Sequence, residues 1–155
     1  MIYCVDTSSL IAAWQERYPI ENFPKFWDRV DGLIKEKRMI SPIDVFLETR
    51  KRSDELHGWL KSRKADIFLE MNDAVQKEAA NVLRRFPRLV GEKKRSTSAD
   101  PFVIALALVL GLTVVTEEKP TLNDRKPNIP DVCAAFGVEC KTLIDLIRTE
   151  KWIVG

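Results

Sequence analysis

Near its start the chain reads Tyr3-Cys4-Val5-Asp6-Thr7-Ser8-Ser9-Leu10-Ile11, and this stretch decides the fold. The apolar run Ile2 to Val5 predicts a buried strand, because a short continuous apolar segment is typical of a strand covered on both faces. The next four residues, Asp6 to Ser9, offer the side chains that favour the start of a helix, and an apolar segment from Leu10 to Trp14 follows them. The sequence therefore predicts a strand, a turn and a helix, the opening unit of a parallel α/β sheet.

Further acidic residues occupy comparable positions along the chain. Asp6 ends the first strand, Glu48 follows an apolar run inside a predicted helix, Asp100 opens a strongly apolar helix, and Glu117 and Glu118 follow another predicted strand. The carboxyl ends of parallel strands share one edge, so acids distant in sequence can meet in one pocket. Clustered carboxylates repel one another, and a divalent cation is the simplest compensation. The pattern predicts a metal-dependent phosphodiesterase.

The remaining chain alternates between strand and helix signals, with no repeat and no low-complexity tract. Nearly continuous apolar strands between amphipathic helices predict a three-layer α/β/α fold with a central parallel sheet of about four to five strands and a helical cap, in a single domain over 1–155. The predicted helices are Pro24 to Lys37, one with Pro42 at its first position, about Asp54 to Lys64, Asn72 to Phe86, Asp100 to Gly111, Pro130 to Gly137 and Leu143 to Thr149. The later predicted strands are Met39-Ile40, Leu112 to Thr116 and Val138 to Cys140.

Composition narrows the function classes only modestly. The chain has 155 residues, 45% of them hydrophobic, and its formal net charge of +2 does not identify a nucleic-acid binder. Its three cysteines, Cys4, Cys133 and Cys140, have no zinc-like spacing and suit buried thiols in a reducing cytosol. The amino terminus lacks a signal-peptide pattern, and no apolar run is long enough to span a membrane. We therefore expect a cytoplasmic protein that does not contact membranes.

Four segments of this chain, in order and at suitable intervals, resemble the successive motifs of PIN-domain nucleases. The resemblance implies cleavage of RNA that depends on Mg²⁺ or Mn²⁺, often by a VapC-like toxin of a type II toxin–antitoxin system that a cognate antitoxin silences. It also implies a homodimer, which we expect to form through helices in the Phe23 to Lys64 region with Trp27 and Trp59. The segments are Tyr3 to Ile11, Ile43 to Glu48, Ala99 to Ala107 and Val114 to Glu118.

Site residues follow from this resemblance position by position. Asp6, Glu48 and Asp100 match the first three acids of the family, and Thr116 matches the hydroxyl residue that precedes the fourth. Family members commonly carry an aspartate two positions after that residue, where this chain has Glu118. Glu117 lies beside it, and Asp124 and Asp131 follow in the next loop as further candidates for the fourth acid.

The chemistry of Mg²⁺ assigns roles to these groups, since the ion prefers oxygen ligands and is usually held by one or two carboxylates, waters and substrate phosphate. Asp6, Asp100 and Glu118 are the predicted metal ligands, direct or through water. Glu48 is predicted to orient or deprotonate the attacking water. Ser8 and Thr116 are predicted to orient carboxylates or a phosphate.

Basic clusters surround the predicted acidic pocket. A nuclease with an acidic centre needs cations at its margin to attract the phosphate backbone, and Arg50 and Arg52, just beyond Glu48, are the best placed. Other basic clusters are Lys61-Arg63-Lys64, Arg84-Arg85-Arg88 and Lys93-Lys94-Arg95.

Three alternatives stay open at this point. Asp6 and Asp100 also suit simple helix capping. A haloacid-dehalogenase-like phosphatase also begins with an aspartate at a strand end, but it needs a second aspartate where this chain has Ser8. A catalytically degenerate PIN-like module that binds RNA or a protein is the non-enzymatic alternative. His57 and the four tryptophans are predicted to pack and not to act on substrate.

Overall fold

The computed structural model describes residues 1–89 and 98–155, which form five strands and nine α-helices. The predicted basic cluster Lys93-Lys94-Arg95 lies outside the described residues. The strands are β1 (Tyr3–Val5), β2 (Met39–Pro42), β3 (Phe68–Leu69), β4 (Thr113–Val115) and β5 (Cys140–Lys141). The helices are α1 (Thr7–Ala12), α2 (Pro24–Lys35), α3 (Ile43–Arg52), α4 (Asp54–Lys61), α5 (Lys64–Ile67), α6 (Asp73–Arg85), α7 (Asp100–Leu110), α8 (Ile129–Phe136) and α9 (Leu143–Glu150).

The sheet is parallel throughout, with strand order β3-β2-β1-β4-β5. From β1 the chain builds outward to β3, then returns to the other side of β1 and builds outward again to β5. The strand order therefore reverses between β1 and β4, and the crevice at such a switch point is where ligands bind in open α/β sheets.

Helices cover both faces of this sheet, which confirms the predicted three-layer α/β/α architecture. Since crossovers between parallel strands are right-handed, the strand order places α1 to α5 on one face and α6 to α8 on the other. Ring contacts agree, because Trp27 of α2 lies 5.1 Å from Trp59 of α4 between ring centroids. On the opposite face α6 packs on α7, and α7 packs on α8.

Helix α7 shows how the sequence specifies a buried element. Pro101 occupies its first turn, where a missing N–H costs nothing, and Gly111 ends it in the left-handed conformation at φ 69°. Residues Val103 to Ala107 are all buried, because α7 is enclosed by the sheet and by α6. A helical segment buried on all sides needs no polar stripe, which explains the uniformly apolar sequence from Val103 to Ala107.

The boundary between β2 and α3 differs from the prediction. Pro42 was expected at the first position of a helix, but it ends β2 and forms the N-cap of α3. Two tertiary contacts extend the strand: the Ser41 hydroxyl donates to the Val5 carbonyl oxygen at 2.8 Å, and Ser41 and Pro42 pair with Phe68 and Leu69 of β3. The two-residue strand β3 was not predicted, since so short a segment carries no periodicity.

The helices on one face of the sheet also differ from the prediction. A π-helical segment, Ala13–Arg17, continues α1 and was not expected. Trp27 is 2% exposed in the core, so the prediction that it lies at an exposed dimer contact is wrong. Trp59 is half-buried beneath the guanidinium of Arg63, whose Cζ lies 3.7 Å from the ring centroid.

All three cysteines are free; Cys4 and Cys133 are buried as predicted, whereas Cys140 is only half-buried. None of the described helices is long and apolar enough to cross a membrane.

Candidate active site at the carboxyl edge of the sheet

Asp6 lies at the centre of the switch point, directly after β1. Its side chain is buried, and its backbone N–H donates to the Val115 carbonyl oxygen of β4 at 3.1 Å. Residues Val5 and Val115 are paired in the two strands, so the following residues Asp6 and Thr116 leave the sheet side by side.

The two carboxylate oxygens of Asp6 have different environments. Oδ1 accepts from the Ser9 backbone N–H at 2.9 Å and from the Ser9 hydroxyl at 2.7 Å. Oδ2 accepts from two hydroxyls, Ser8 at 2.8 Å and Thr116 at 2.6 Å. A backbone donor and a buried side chain fix Oδ1, whereas Oδ2 is held by hydroxyl groups that can rotate. Oδ2 is therefore the oxygen that can exchange a hydrogen bond for another ligand.

Burial controls the protonation of Asp6. Desolvation raises the pKa of its carboxyl, although hydrogen bonds from Thr116, Ser9 and Ser8 partly oppose the shift. Burial disfavours the ionised form, and a nearby positive charge favours it. A positive charge beside Asp6 would therefore oppose the shift that burial causes.

Glu48 lies on α3 and contacts the start of α7. Its Oε1 accepts from the Ala99 backbone N–H at 2.7 Å, and Ala99 is the N-cap residue immediately before Asp100. The predicted second and third acids are therefore brought together across the edge of the sheet. Because α7 leads into the amino end of β4, its own start with Asp100 lies toward the carboxyl edge.

Glu117 and Glu118 each contact the start of a different helix. Glu117 Oε1 accepts from the Leu143 N–H at 2.7 Å, and its Oε2 lies 3.3 Å from a guanidinium nitrogen of Arg17. Glu118 Oε1 accepts from the Ile129 N–H at 3.0 Å, and the Glu118 N–H donates to the Thr116 hydroxyl at 3.1 Å. Thr116 therefore links Glu118 to Asp6, whereas the contacts of Glu117 lead toward α9 and Arg17.

Four predicted site acids thus accept hydrogen bonds from backbone N–H groups at helix starts. Asp6 caps α1, Glu48 meets α7, Glu118 meets α8 and Glu117 meets α9. Helix N-termini carry partial positive charge and stabilise carboxylates nearby. Helix capping and a role in the site are compatible here, because the helices begin at the edge where the acids collect.

The remaining predicted acids and cations take other positions. The carboxylate of Asp131 accepts from the N–H groups of Thr121 and Leu122 and so holds the loop after Glu118. Asp124 is exposed in the same loop. Arg50 and Arg52 are exposed at the end of α3, and Arg52, four residues after Glu48, shares its helix face.

Sequence reasoning missed two residues at this edge. Ser9 is fully buried and donates to Asp6; its position as third residue of a helix capped by Asp6 is the signal that points to it. Asp44 precedes Glu48 by one helical turn and shares its face, and burial raises the pKa of its carboxyl. Spacing of four residues within a helix is the signal for Asp44.

The acids are not assembled into a closed metal cage. Among residues 1–89 and 98–155, no group of three or more His, Cys, Asp or Glu side chains is close enough to hold a metal ion. Mg²⁺ does not need one, since it keeps several waters and commonly takes only one or two carboxylates. The oxygen-only donors along this edge fit such an ion.

Residues 3–154 match the sequence model of DUF4411, a domain of unknown function. The chain belongs to the DUF4411 family. No curated protein matches this DUF4411 chain.

Similar solved structures identify the fold of this DUF4411 protein. VapBC-1 from nontypeable Haemophilus influenzae is similar with a TM-score of 0.57 and 17% identity, over 92% of this chain and 98% of the other. VapBC2 from Rickettsia felis was solved bound to a DNA fragment from the VapBC2 promoter. It is similar with a TM-score of 0.55 and 12% identity, over 92% of this chain and 98% of the other. This DUF4411 protein therefore has the VapC-like PIN fold that its sequence motifs predicted.

Proposed function

We propose that this protein is a metal-dependent endoribonuclease of the PIN type and the toxin of a type II toxin–antitoxin system. One observation carries the nuclease proposal: a buried carboxylate, Asp6, lies at the switch point of the sheet with an oxygen held only by rotatable hydroxyls. Glu48 and Asp100 lie at the same edge, and Glu118 is linked to Asp6 through Thr116. Such an edge is the usual ligand site of the fold class.

The metal site would centre on Asp6 Oδ2. Rotation of the Ser8 or Thr116 hydroxyl would release this oxygen as a ligand, with Asp100 and Glu118 contributing directly or through water. A bound Mg²⁺ or Mn²⁺ would lower the pKa of water and stabilise the charge that develops on phosphate. A cation bound at Asp6 would oppose the rise in the Asp6 pKa that burial causes.

The other residues are assigned supporting roles. Glu48 would orient the attacking water or accept its proton, since a carboxylate can act as a general base. Ser9 would hold Oδ1 so that Oδ2 keeps its direction. Arg52, on the face of α3 that carries Glu48, would contact the phosphate backbone, and Arg50 would assist from the next turn.

The toxin proposal rests on the fold neighbours. The two structures described above are VapBC complexes, so we propose that an antitoxin protein binds this chain as well. We further propose one cytoplasmic domain over 1–155 that forms a homodimer through a surface other than Trp27. Sedimentation equilibrium tests the assembly, since a concentration-independent mass of one chain, 17.8 kDa, contradicts the dimer.

A non-catalytic RNA- or protein-binding module is the second candidate. It is favoured by the helix-capping contacts of Asp6, Glu48, Glu117 and Glu118, which give each acid a structural role without chemistry. The two candidates differ in whether Asp6 is needed for turnover.

The decisive experiment uses a fluorescently labelled single-stranded RNA and purified protein with Mg²⁺, Mn²⁺ or excess chelator. Wild type is expected to cleave in either metal and to stop with chelator, and Asp6→Asn is expected to be inactive. Asp28→Asn, which alters an exposed carboxylate on α2, is the matched control and is expected to remain active. Cleavage that survives both the chelator and Asp6→Asn would overturn the mechanism, and RNA binding without any cleavage would favour the non-catalytic module.

A further inference from the structure

The loop at 119–128 follows Glu118 directly and is closed at its base. Glu118 Oε1 accepts from the Ile129 N–H at 3.0 Å, and the Asn128 side-chain amide donates to the Lys119 carbonyl oxygen at 2.9 Å. The two ends of the loop are therefore held together beside one of the predicted site acids. Compact surface loops with closed ends are frequently functional.

Asp131 organises the interior of this loop. Its carboxylate accepts from the Thr121 N–H at 2.9 Å, the Leu122 N–H at 2.8 Å, the Asn128 N–H at 2.8 Å and the Thr121 hydroxyl at 3.0 Å. Burial raises the pKa of Asp131, but these hydrogen bonds outweigh it and hold the pKa below its usual range. A single ionised carboxylate thus fixes the loop backbone at three amides.

Leu122 shows how strongly the loop conformation is specified. Its φ is 57°, in the left-handed region that a leucine rarely adopts, and its side chain is 91% exposed. Packing cannot compensate for this backbone conformation because the side chain contacts little else. The hydrogen bond from its N–H to Asp131 is the interaction that holds it. Strained residues of this kind collect at functional sites.

The loop carries three cations, Lys119, Arg125 and Lys126, against one acid, Asp124. All three cations are exposed, and across the described parts of the chain none of them forms an ion pair. Arginine and lysine side chains that are held near an acidic centre and left exposed suit a polyanion.

We propose that the loop at 119–128 binds the phosphate backbone of single-stranded RNA next to the cleavage site, and that Asp131 is its positioning residue. This inference rests on the proposed nuclease function and adds a substrate-contact element to it. Glu118 connects the two, since its backbone N–H meets Thr116 at the acidic centre and its side chain closes the loop. An RNA strand bound at Asp6 could therefore contact the three cations, which lie in the ten residues after Glu118.

The salt dependence of binding tests the cations. Affinity for a short fluorescein-labelled RNA is measured by anisotropy in chelator, so that cleavage does not interfere, over a series of salt concentrations. Each lost phosphate contact lowers the slope of log affinity against log salt by about 0.7 for single strands. The triple variant Lys119→Gln/Arg125→Gln/Lys126→Gln should lower the slope by about 2 and weaken binding by about tenfold at moderate salt.

A matched control separates this contact from general charge. Arg29→Gln/Arg148→Gln/Lys151→Gln removes three cations that are also exposed and lie on α2 and at the end of α9. This control should leave the slope within about 0.5 of wild type, since remote cations release few counterions from bound RNA. Equal losses in the two triple variants would overturn the inference.

The positioning role of Asp131 is tested by Asp131→Asn, which places an amide donor against backbone donors. KM for RNA should rise with kcat nearly unchanged, and the amides of Thr121, Leu122 and Asn128 should exchange faster with solvent. Combining Asp131→Asn with the triple variant should add little, because the positioning residue acts through the cations. A fall in kcat at unchanged KM would overturn the positioning role.

The outcomes distinguish this inference from the proposed function. RNA cleavage by wild type, with unchanged slope and KM in the triple variant, would remove the loop contact and leave the nuclease in place. Absence of both RNA binding and cleavage in wild type would remove both.

Discussion

The hydroxyl of Thr116 donates a 2.6 Å hydrogen bond to Oδ2 of Asp6 and, through the same oxygen, accepts the N–H of Glu118 at 3.1 Å. This one side chain joins the ends of β1 and β4 at the point where the strand order reverses. Asp6 and Thr116 are 110 positions apart in the chain. Their contact follows from the parallel pairing of β1 with β4, which places the carboxyl ends of these two neighbouring strands side by side.

Asp6→Asn should abolish metal response without unfolding the protein. The amide oxygen can keep the hydrogen bonds from Ser9, while its NH₂ can donate to the Ser8 and Thr116 hydroxyls, which accept as well as donate. Turnover should fall at least ~100-fold, beyond the loss of about 10- to 100-fold typical of supporting groups at metal sites. Thermal denaturation in chelator should give a melting temperature equal to or above that of wild type, because the variant buries no charge. A large drop in melting temperature would contradict this account.

Thr116→Val should weaken metal binding more than it weakens the fold. The variant removes the donor to Asp6 and leaves the Glu118 N–H without its acceptor, so metal affinity should fall about 10- to 100-fold. Thr116→Ser keeps the hydroxyl and serves as the matched control. Titration of Mn²⁺ into each protein by calorimetry makes the comparison. Equal affinity in the Val and Ser variants would show that the hydroxyl has no part in the site.

Glu118→Gln and Glu117→Gln should have different consequences. The Glu118 carboxylate is a proposed metal ligand, so removal of its charge should lower turnover by about tenfold or more. The amide oxygen of the Glu118→Gln variant can still accept from the Ile129 N–H, so the melting temperature should change little. Glu117 contacts Arg17 and the start of α9, so its variant should lose stability by about 1 kcal/mol and keep most of its turnover. Paired kinetic and denaturation measurements decide the matter. A larger loss of turnover in the Glu117 variant would move the fourth acid by one position.

Glu150 should make stability depend on pH at the opposite edge of the sheet. Burial raises the pKa of this carboxyl, but hydrogen bonds from Arg38 at 2.7 Å and Tyr3 at 2.6 Å outweigh burial and hold the pKa below its ordinary value of 4.5. A lowered folded-state pKa stabilises the protein above the unfolded value, and the contribution is lost as the pH falls through the folded value.

The corresponding variant is Glu150→Gln. Its free energy of unfolding should be about 2 kcal/mol below that of wild type at neutral pH, the scale of hydrogen bonds to a charged group. The difference should shrink as the pH falls from the ordinary value of 4.5 through the lowered folded-state pKa, where the wild-type carboxylate becomes protonated. Urea denaturation of both proteins across this range is the measurement, and a difference independent of pH would contradict the assignment.

Local sequence patterns were sufficient for most elements and failed at particular boundaries. The apolar run before Asp6 and the Pro101 to Gly111 segment specify β1 and α7, because strand burial and helix termini are local signals. Pro42 was misplaced, since its membership of β2 depends on pairing with Leu69. Such pairing joins distant parts of the chain and leaves no local trace.

The candidate site could likewise be predicted only in part. Asp6, Glu48, Asp100 and Glu118 could be selected from the sequence, because carboxylates adjoining apolar elements are conspicuous and resemble known motifs. Their partners could not be selected: the sequence does not show that Glu48 accepts from Ala99 or that Glu117 meets Arg17.

By itself, then, the sequence determined most of the strands and helices and the acids that adjoin them, because periodicity and capping act over a few residues. Only the tertiary structure decided that Thr116 and Ser9 hold opposite oxygens of Asp6, and that Asp131 supports a loop while Glu118 stays at the acidic centre. The physical reason is that a hydrogen bond forms only when its donor and acceptor atoms lie about 3 Å apart in a suitable geometry. Distances on that scale between residues far apart in the chain are set by strand order and register.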